Sequence, residues 1–247
     1  MSKKILFKTE IEGLETIAPV KPSSFYFPKW FKDMPEHLDK DPGEPYDPIH
    51  RNLFGKVGDI GKKFYVSTMK RCPAIIDFVS EGFIIPMWAD TLIQRDDITL
   101  EHDNKNFPAR ISSHQSEQLI GMPLGEGDFK DALKFESPWF IYTPPGYSAL
   151  FIAPFYQYEK RFTILPGLVE TDGWHQINFP TIIHEKEFII SQGTPLVQVI
   201  PFKRSKFSLV MDLINDKDKR LIQAGNNIIS SRFINGYRKA VEKLRNA

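Results

Sequence analysis

Cysteine is nearly absent from this chain: among 247 residues there is one, Cys72. A single thiol closes no internal disulfide, so a secreted, disulfide-stapled framework is not expected. Long apolar runs are missing too. The N-terminal stretch Ile5-Leu6-Phe7 is far shorter than a signal-peptide core, and nothing approaches the ~18 apolar residues of a membrane span. An intracellular protein with no membrane partner is the expectation. Charge of one sign is also lacking. Thirty-two Lys and Arg balance 31 Asp and Glu, leaving +1. No global field draws the chain to nucleic acid or an anionic surface, although a local patch stays open.

What is plentiful is aromatic and proline content, with 20 Phe and 19 Pro. That mix favours short strands and extended segments over a helical bundle. Residues 1–62 read as an irregular N-terminal arm. Its prolines (Pro19, Pro22, Pro28, Pro35, Pro42, Pro45 and Pro48) restrict the backbone, and Phe25, Tyr26, Phe27, Trp30 and Phe31 supply rings that need a surface to pack on. Disordered tails are poor in aromatics, so packing on the main body or on a neighbouring subunit is expected.

Residues 63–211 read as a β domain. Phe64–Val66, Ala74–Val79, Phe83–Ile85, Thr91–Ile93 and Ile98–Leu100 are strand candidates, with turns at Ser80–Gly82 and Gln94–Asp97. Asp128–Leu133 reads as a short helix. Trp139–Tyr142, Tyr147–Ala153, Phe162–Leu165, His175–Phe179, Thr181–Ile183, Phe188–Ile190 and Leu196–Ile200 continue the strand series. Residues 212–247 change period. Leu213, Ile214, Leu221, Ile222, Ile228, Ile229, Phe233, Ile234, Tyr237, Val241 and Leu244 recur mostly every three or four positions, predicting two helices punctuated at Gly225. Arg232, Arg238, Lys239, Lys243 and Arg245 fit a solvated helix face better than a nucleic-acid contact.

Three elements then appear in order. Pro145-Gly146-Tyr147 leads a strand ending Ile152-Ala153-Pro154. Pro166-Gly167-Leu168-Val169-Glu170-Thr171-Asp172 follows. Gly193-Thr194-Pro195-Leu196-Val197-Gln198-Val199-Ile200 closes the set. This series resembles the superfamily of deoxyuridine triphosphatases (dUTPases) and deoxycytidine-triphosphate deaminases, with a weaker echo at Glu81–Ile84 and Ala89-Asp90. The resemblance spans about residues 73–202 and implies a mainly β fold: a dUTPase-like barrel or jelly roll, flanked by the N-terminal arm and C-terminal α-helices. Gly146, Gly167 and Gly193 are read as turn residues of that fold.

The resemblance also implies a site. Glu170 occupies the position of the carboxylate that orders the attacking water, and Asp172 completes the pair, so both are catalytic candidates. Trp174 is a candidate for stacking on a base or for barrel or subunit-interface packing, Tyr156 for a ligand contact beside it, Gln198 for backbone bonds or a ligand contact, and Lys160 and Arg161 for partial replacement of phosphate ligands or for solvated loop charges. The departures are as specific. Phe155-Tyr156 stands where the family carries arginine-serine, Ile84 where it carries aspartate, and Gly173 where an aromatic follows the second acid. A triphosphate needs compensating positive charge, usually with Mg²⁺. No cofactor is therefore expected, with Mg²⁺ entering only if the chain is a nucleotide hydrolase.

Two other chemistries are weighed. His175 and His184 with Glu170 and Asp172 invite a two-histidine, one-carboxylate metal site, at a spacing that matches no metal motif. His102-Asp103 reads as a polar turn, and Cys72 before Pro73 as a buried residue at a strand start. Over its whole length the chain resembles a protein of large contractile-tailed bacteriophages, on Lys70–Ala74, Thr143–Ser148, Asn178–Pro180 and Gly193–Arg204. That resemblance implies viral origin and brings no activity with it. The leading expectation is a non-enzymatic structural or interaction protein, a homo-oligomer such as a trimer, meeting virion proteins in the host cytoplasm or the virion. The alternative is a nucleotide-binding protein or nucleotide (pyro)phosphohydrolase working from the Glu170/Asp172 hairpin.

Overall fold

The computed structural model describes residues 3–40, 64–96, 100–103, 107–108, 110–231 and 236–246. The chain is mainly β, with antiparallel sheets and C-terminal helices. It divides into two compact units: Met1–Lys32 with Asp77–Ser205, and Asp33–Ile76 with Lys206–Ala247. The strands are β1 (Leu6–Lys8), β2 (Lys21–Pro22), β3 (His37–Lys40), β4 (Phe64–Ser67), β5 (Phe83–Pro86), β6 (Thr91–Arg95), β7 (Leu100–Asp103) and β8 (Ile111–His114). They continue with β9 (Ala132–Glu136), β10 (Phe140–Tyr142), β11 (Tyr147–Ile152), β12 (Phe162–Ile164), β13 (Gly167–Val169), β14 (Asn178–Ile183), β15 (Glu187–Ile190) and β16 (Pro195–Lys203).

In the first unit, five strands run in the order β13-β11-β16-β5-β2, four as β12-β14-β9-β8 and three as β15-β6-β7, and β1 pairs with β10. Strand β16 is central. Leu196, Val197, Gln198 and Val199 are all buried, because sheet neighbours β11 and β5 flank it and core packs on both of its faces. A strand covered on both faces carries a continuous apolar run rather than an alternating one. β15 shows the other pattern: Phe188 and Ile190 point inward while Ile189 is exposed. One core joins Trp88, Phe135, Phe179, Ile183 and Val199.

The arm is folded as far as Lys32. Leu14 and Ala18 enter the core, and β1 and β2 pair with β10 and β5. Its portion from 41 to 62 lies outside the described residues, as do the turn and strand expectations at 97–99 and the positions Arg232, Phe233 and Ile234.

Several local expectations are corrected. Pro73–Ser80 is a helix, not a strand: Pro73 suits a first helical turn, and Ile75 and Val79 stand one turn apart. Cys72 accordingly sits half-buried before that helix. Gln94 and Arg95 belong to β6, and His102-Asp103 to β7, pairing across that ladder rather than turning. Asp128 sits in a turn leading into β9, with no helix over 128–133. His175–Ile177 precede the single strand β14. Gly167 has no left-handed φ, whereas Gly193 does.

The second unit holds the β3–β4 ladder and a pair of packed helices, Asp216–Ser231 and Gly236–Arg245. The first helix runs through Gly225, because that glycine is a contact and not a stop: a Cβ there would press on Leu244 of the second helix. Among the described residues no helix is long and apolar enough to cross a membrane.

Gly82 shows how tightly β5 and β16 meet. Its φ is +71°, and a Cβ would strike the Val199 carbonyl oxygen. Gly82→Ala is expected to cost at least about 2 kcal/mol in denaturant unfolding, adding left-handed strain to a backbone clash. A loss within experimental error would contradict this packing.

Candidate functional site

The segment after β13 is a turn and not the expected hairpin, because β13 pairs with β11 while β14 pairs with β12 and β9. It turns at Glu170–Trp174, where the amides of Gly173 and Trp174 both donate to the Glu170 carbonyl. Thr171 is buried inside this turn and shares a 2.8 Å hydrogen bond with the Thr143 hydroxyl. His175 anchors the far side through Nδ1, 3.0 Å from the Ile141 carbonyl, and stacks on Tyr142 at 3.8 Å.

Asp172 is fully engaged. Arg204 donates from Nη1 to Oδ1 at 2.8 Å and from Nη2 to Oδ2 at 2.6 Å, a bidentate fork. The Gly146 amide donates to Oδ2 at 2.8 Å. The Arg204 hydrogen bonds, then the Gly146 amide, hold the carboxyl at about 2, below the ordinary 3.8. Arg204 also donates to the Tyr147 carbonyl and the Ser148 hydroxyl, and lies 3.6 Å from Glu170. Glu170 itself is exposed at 70%.

Arg204 is the residue that sequence reasoning missed as part of the site. The signal was the strand pairing. β11 and β16 run antiparallel with Tyr147 opposite Lys203, so Gly146 meets Arg204, whose amide donates to the Gly146 carbonyl. Reading the proline-glycine turn against the end of the last strand would have found the cation.

The other candidates lie apart from this cluster. Arg161 is tied to Glu159 through Nη2 at 2.6 Å and Nε at 2.9 Å, and donates to the Ile189 carbonyl. Burial raises the Glu159 pKa, but the Arg161 hydrogen bonds and charge outweigh it and leave the carboxyl below its ordinary value. Lys160 is exposed on the same loop. Gln198 is buried within the fold: its amide donates to the Glu81 carbonyl at 2.8 Å and accepts from the Phe155 amide. Trp174 is exposed at 63% and turns its indole N–H onto the Gln176 carbonyl. Tyr156 packs against Trp30 instead of facing Glu170.

The two histidines are not brought together. His184 Nδ1 lies 2.7 Å from Asp128 Oδ1, and its Nε2 lies 2.7 Å from the Thr163 hydroxyl. Burial raises the Asp128 pKa, but the hydrogen bonds from His184 and the Gly125 amide, with the His184 and Arg95 charges, outweigh it. Among the described residues, no three His, Cys, Asp or Glu side chains gather as a metal site.

No family model and no curated protein matches the chain. Among solved structures it is similar to a mutant dUTPase from phage phi11 of S. aureus. The two are 11% identical, with a TM-score of 0.31, over 53% of this chain and 82% of that one.

Asp172 gives the site a pH signature. Its folded pKa is depressed, so its stabilising contribution is complete above about pH 4 and is lost as pH falls through about 2. Arg204→Met is expected to raise the Asp172 midpoint toward the ordinary carboxylate value in a carboxyl-detected NMR titration. An unmoved midpoint would assign the depression to the Gly146 amide alone.

Proposed function

We propose that this chain is a non-enzymatic phage structural or interaction protein on a dUTPase-like β scaffold, acting as a homo-oligomer or with virion proteins in the host cytoplasm or virion. The observation that carries the reading is an extended apolar segment. Phe207, Leu209, Val210, Met211 and Leu213 are each at least 80% exposed, in a stretch without helix or strand. Contiguous apolar surface of that kind is costly in water and marks a contact surface. The state of Asp172 supports the same reading: Arg204 and Gly146 use both of its oxygens, leaving it poorly placed to hold a metal ion or orient water.

One observation favours the alternative of a nucleotide-binding protein or nucleotide (pyro)phosphohydrolase. Glu170 is exposed beside Arg204, so a carboxylate and a guanidinium face solvent together at the turn after β13. In that reading Mg²⁺ would be supplied with the substrate.

Nucleotide assays and oligomeric state separate the two readings. With dUTP, dCTP and modified nucleotides in the presence of Mg²⁺, no thermal shift and no phosphate release are expected. In light scattering the purified chain is expected to exceed the monomer mass. Turnover that is lost in Glu170→Gln would overturn the non-enzymatic reading, and a monomer with no virion partner in pull-down would overturn the interaction reading.

A further inference from the structure

Two tyrosines in the loop after β11 have left-handed backbones: Tyr156 at φ 62° and Tyr158 at φ 54°. Among the described residues they are the only non-glycine positions with positive φ. Such a conformation costs a bulky residue about 1–3 kcal/mol, and it persists where the surroundings over-determine it, commonly at ligand clamps. The surroundings here are a third ring. Trp30 donates its indole N–H to the Tyr156 carbonyl at 2.8 Å, and Gln157 between the tyrosines donates to the Tyr26 carbonyl at 2.6 Å. The strained loop is thereby held against residues 26–30.

The result is a triangle of rings. Trp30 lies 6.0 Å from Tyr156 and 6.0 Å from Tyr158, and the two tyrosines are 6.3 Å apart. The planes are inclined at 74°, 48° and 64°, so no two walls are parallel. A flat heterocycle is sandwiched only between parallel faces, whereas three inclined walls suit a compact, rounded group. Tyr158 is 68% exposed, which leaves the triangle open to solvent on its side. Tyr158, Gln157 and Glu159 also line a neighbouring cavity of about 180 Å³.

We propose that Trp30, Tyr156 and Tyr158 form an aromatic cage for a methylated ammonium group. A cation seated about 3 Å above the plane of the three centroids lies about 5 Å from each ring, inside the ~6 Å reach of cation–π attraction. The nearest carboxylate in sequence, Glu159, is paired with Arg161 at 2.6 Å. Attraction therefore comes from the ring faces and not from formal charge. Ring faces favour a weakly hydrated, methylated nitrogen over a bare ammonium, which water holds more strongly. The group is carried by a free choline-like molecule or by a methylated lysine on a protein. This inference is independent of the Glu170 turn and of the nucleotide readings.

The test uses the full chain, titrated by NMR and calorimetry with choline, with a peptide bearing trimethyllysine, with its unmethylated form, and with the neutral isostere 3,3-dimethylbutan-1-ol. Methylated cations are expected to bind about five- to tenfold tighter than the isostere and the unmethylated peptide. Tyr158→Ala, at an exposed ring, should weaken binding at least about fivefold, while Tyr158→Phe should retain it. Equal affinity for choline and the peptide indicates a small-molecule source; tighter peptide binding indicates a methylated protein. No binding up to about 20 mM, equal binding of the neutral isostere, or full binding by Tyr158→Ala overturns the cage.

Discussion

The bidentate pair between Arg204 and Asp172 joins parts of the chain that no local preference would bring together. Arg204 follows the last strand, Asp172 lies in the turn beyond β13, and the Gly146 amide that shares Asp172 opens β11. These are the strands on one side of the five-stranded sheet, in the order β13-β11-β16. A carboxylate whose oxygens are matched by a guanidinium fork and an amide is fixed in orientation as well as in charge. The turn is held to the sheet through side chains at the point where the β11–β13 ladder ends.

Strand β16 makes that arrangement possible. Its buried run from Leu196 to Val199 sets the register against β5 and β11, and Gln198 uses its amide to bind the Glu81 carbonyl and the Phe155 amide. Moving this strand by one residue would send its core side chains to the opposite face and carry Arg204 away from Asp172. Gly82 reports the same closeness from the β5 side.

The strands from Tyr142 to Ile200 were largely legible in the sequence, because apolar runs bounded by glycine and proline turns have few other solutions. The helix at Pro73–Ser80 was misread as a strand, because eight residues of mixed apolar character satisfy both periods. Gly225 was misread for a related reason, since composition shows a helix breaker while the structure shows a glycine that lets Leu244 approach. In the candidate site, Glu170 and Asp172 were expected from a motif. Arg204 was not, because an ion pair across 32 positions is set by strand register and leaves no local pattern. The cage residues were invisible as a set: Trp30 and Tyr156 are 126 positions apart, and left-handed tyrosines have no sequence signature.

Whether Asp172 serves the fold is best measured by a double-mutant cycle on Arg204 and Asp172, with Arg204→Met, Asp172→Asn and the double variant unfolded in denaturant at neutral pH. If the pair holds the turn after β13 to the sheet, each single change destabilises the chain, and the double change costs clearly less than the two added together. Additive losses, or an Asp172→Asn variant as stable as the parent, would contradict that role.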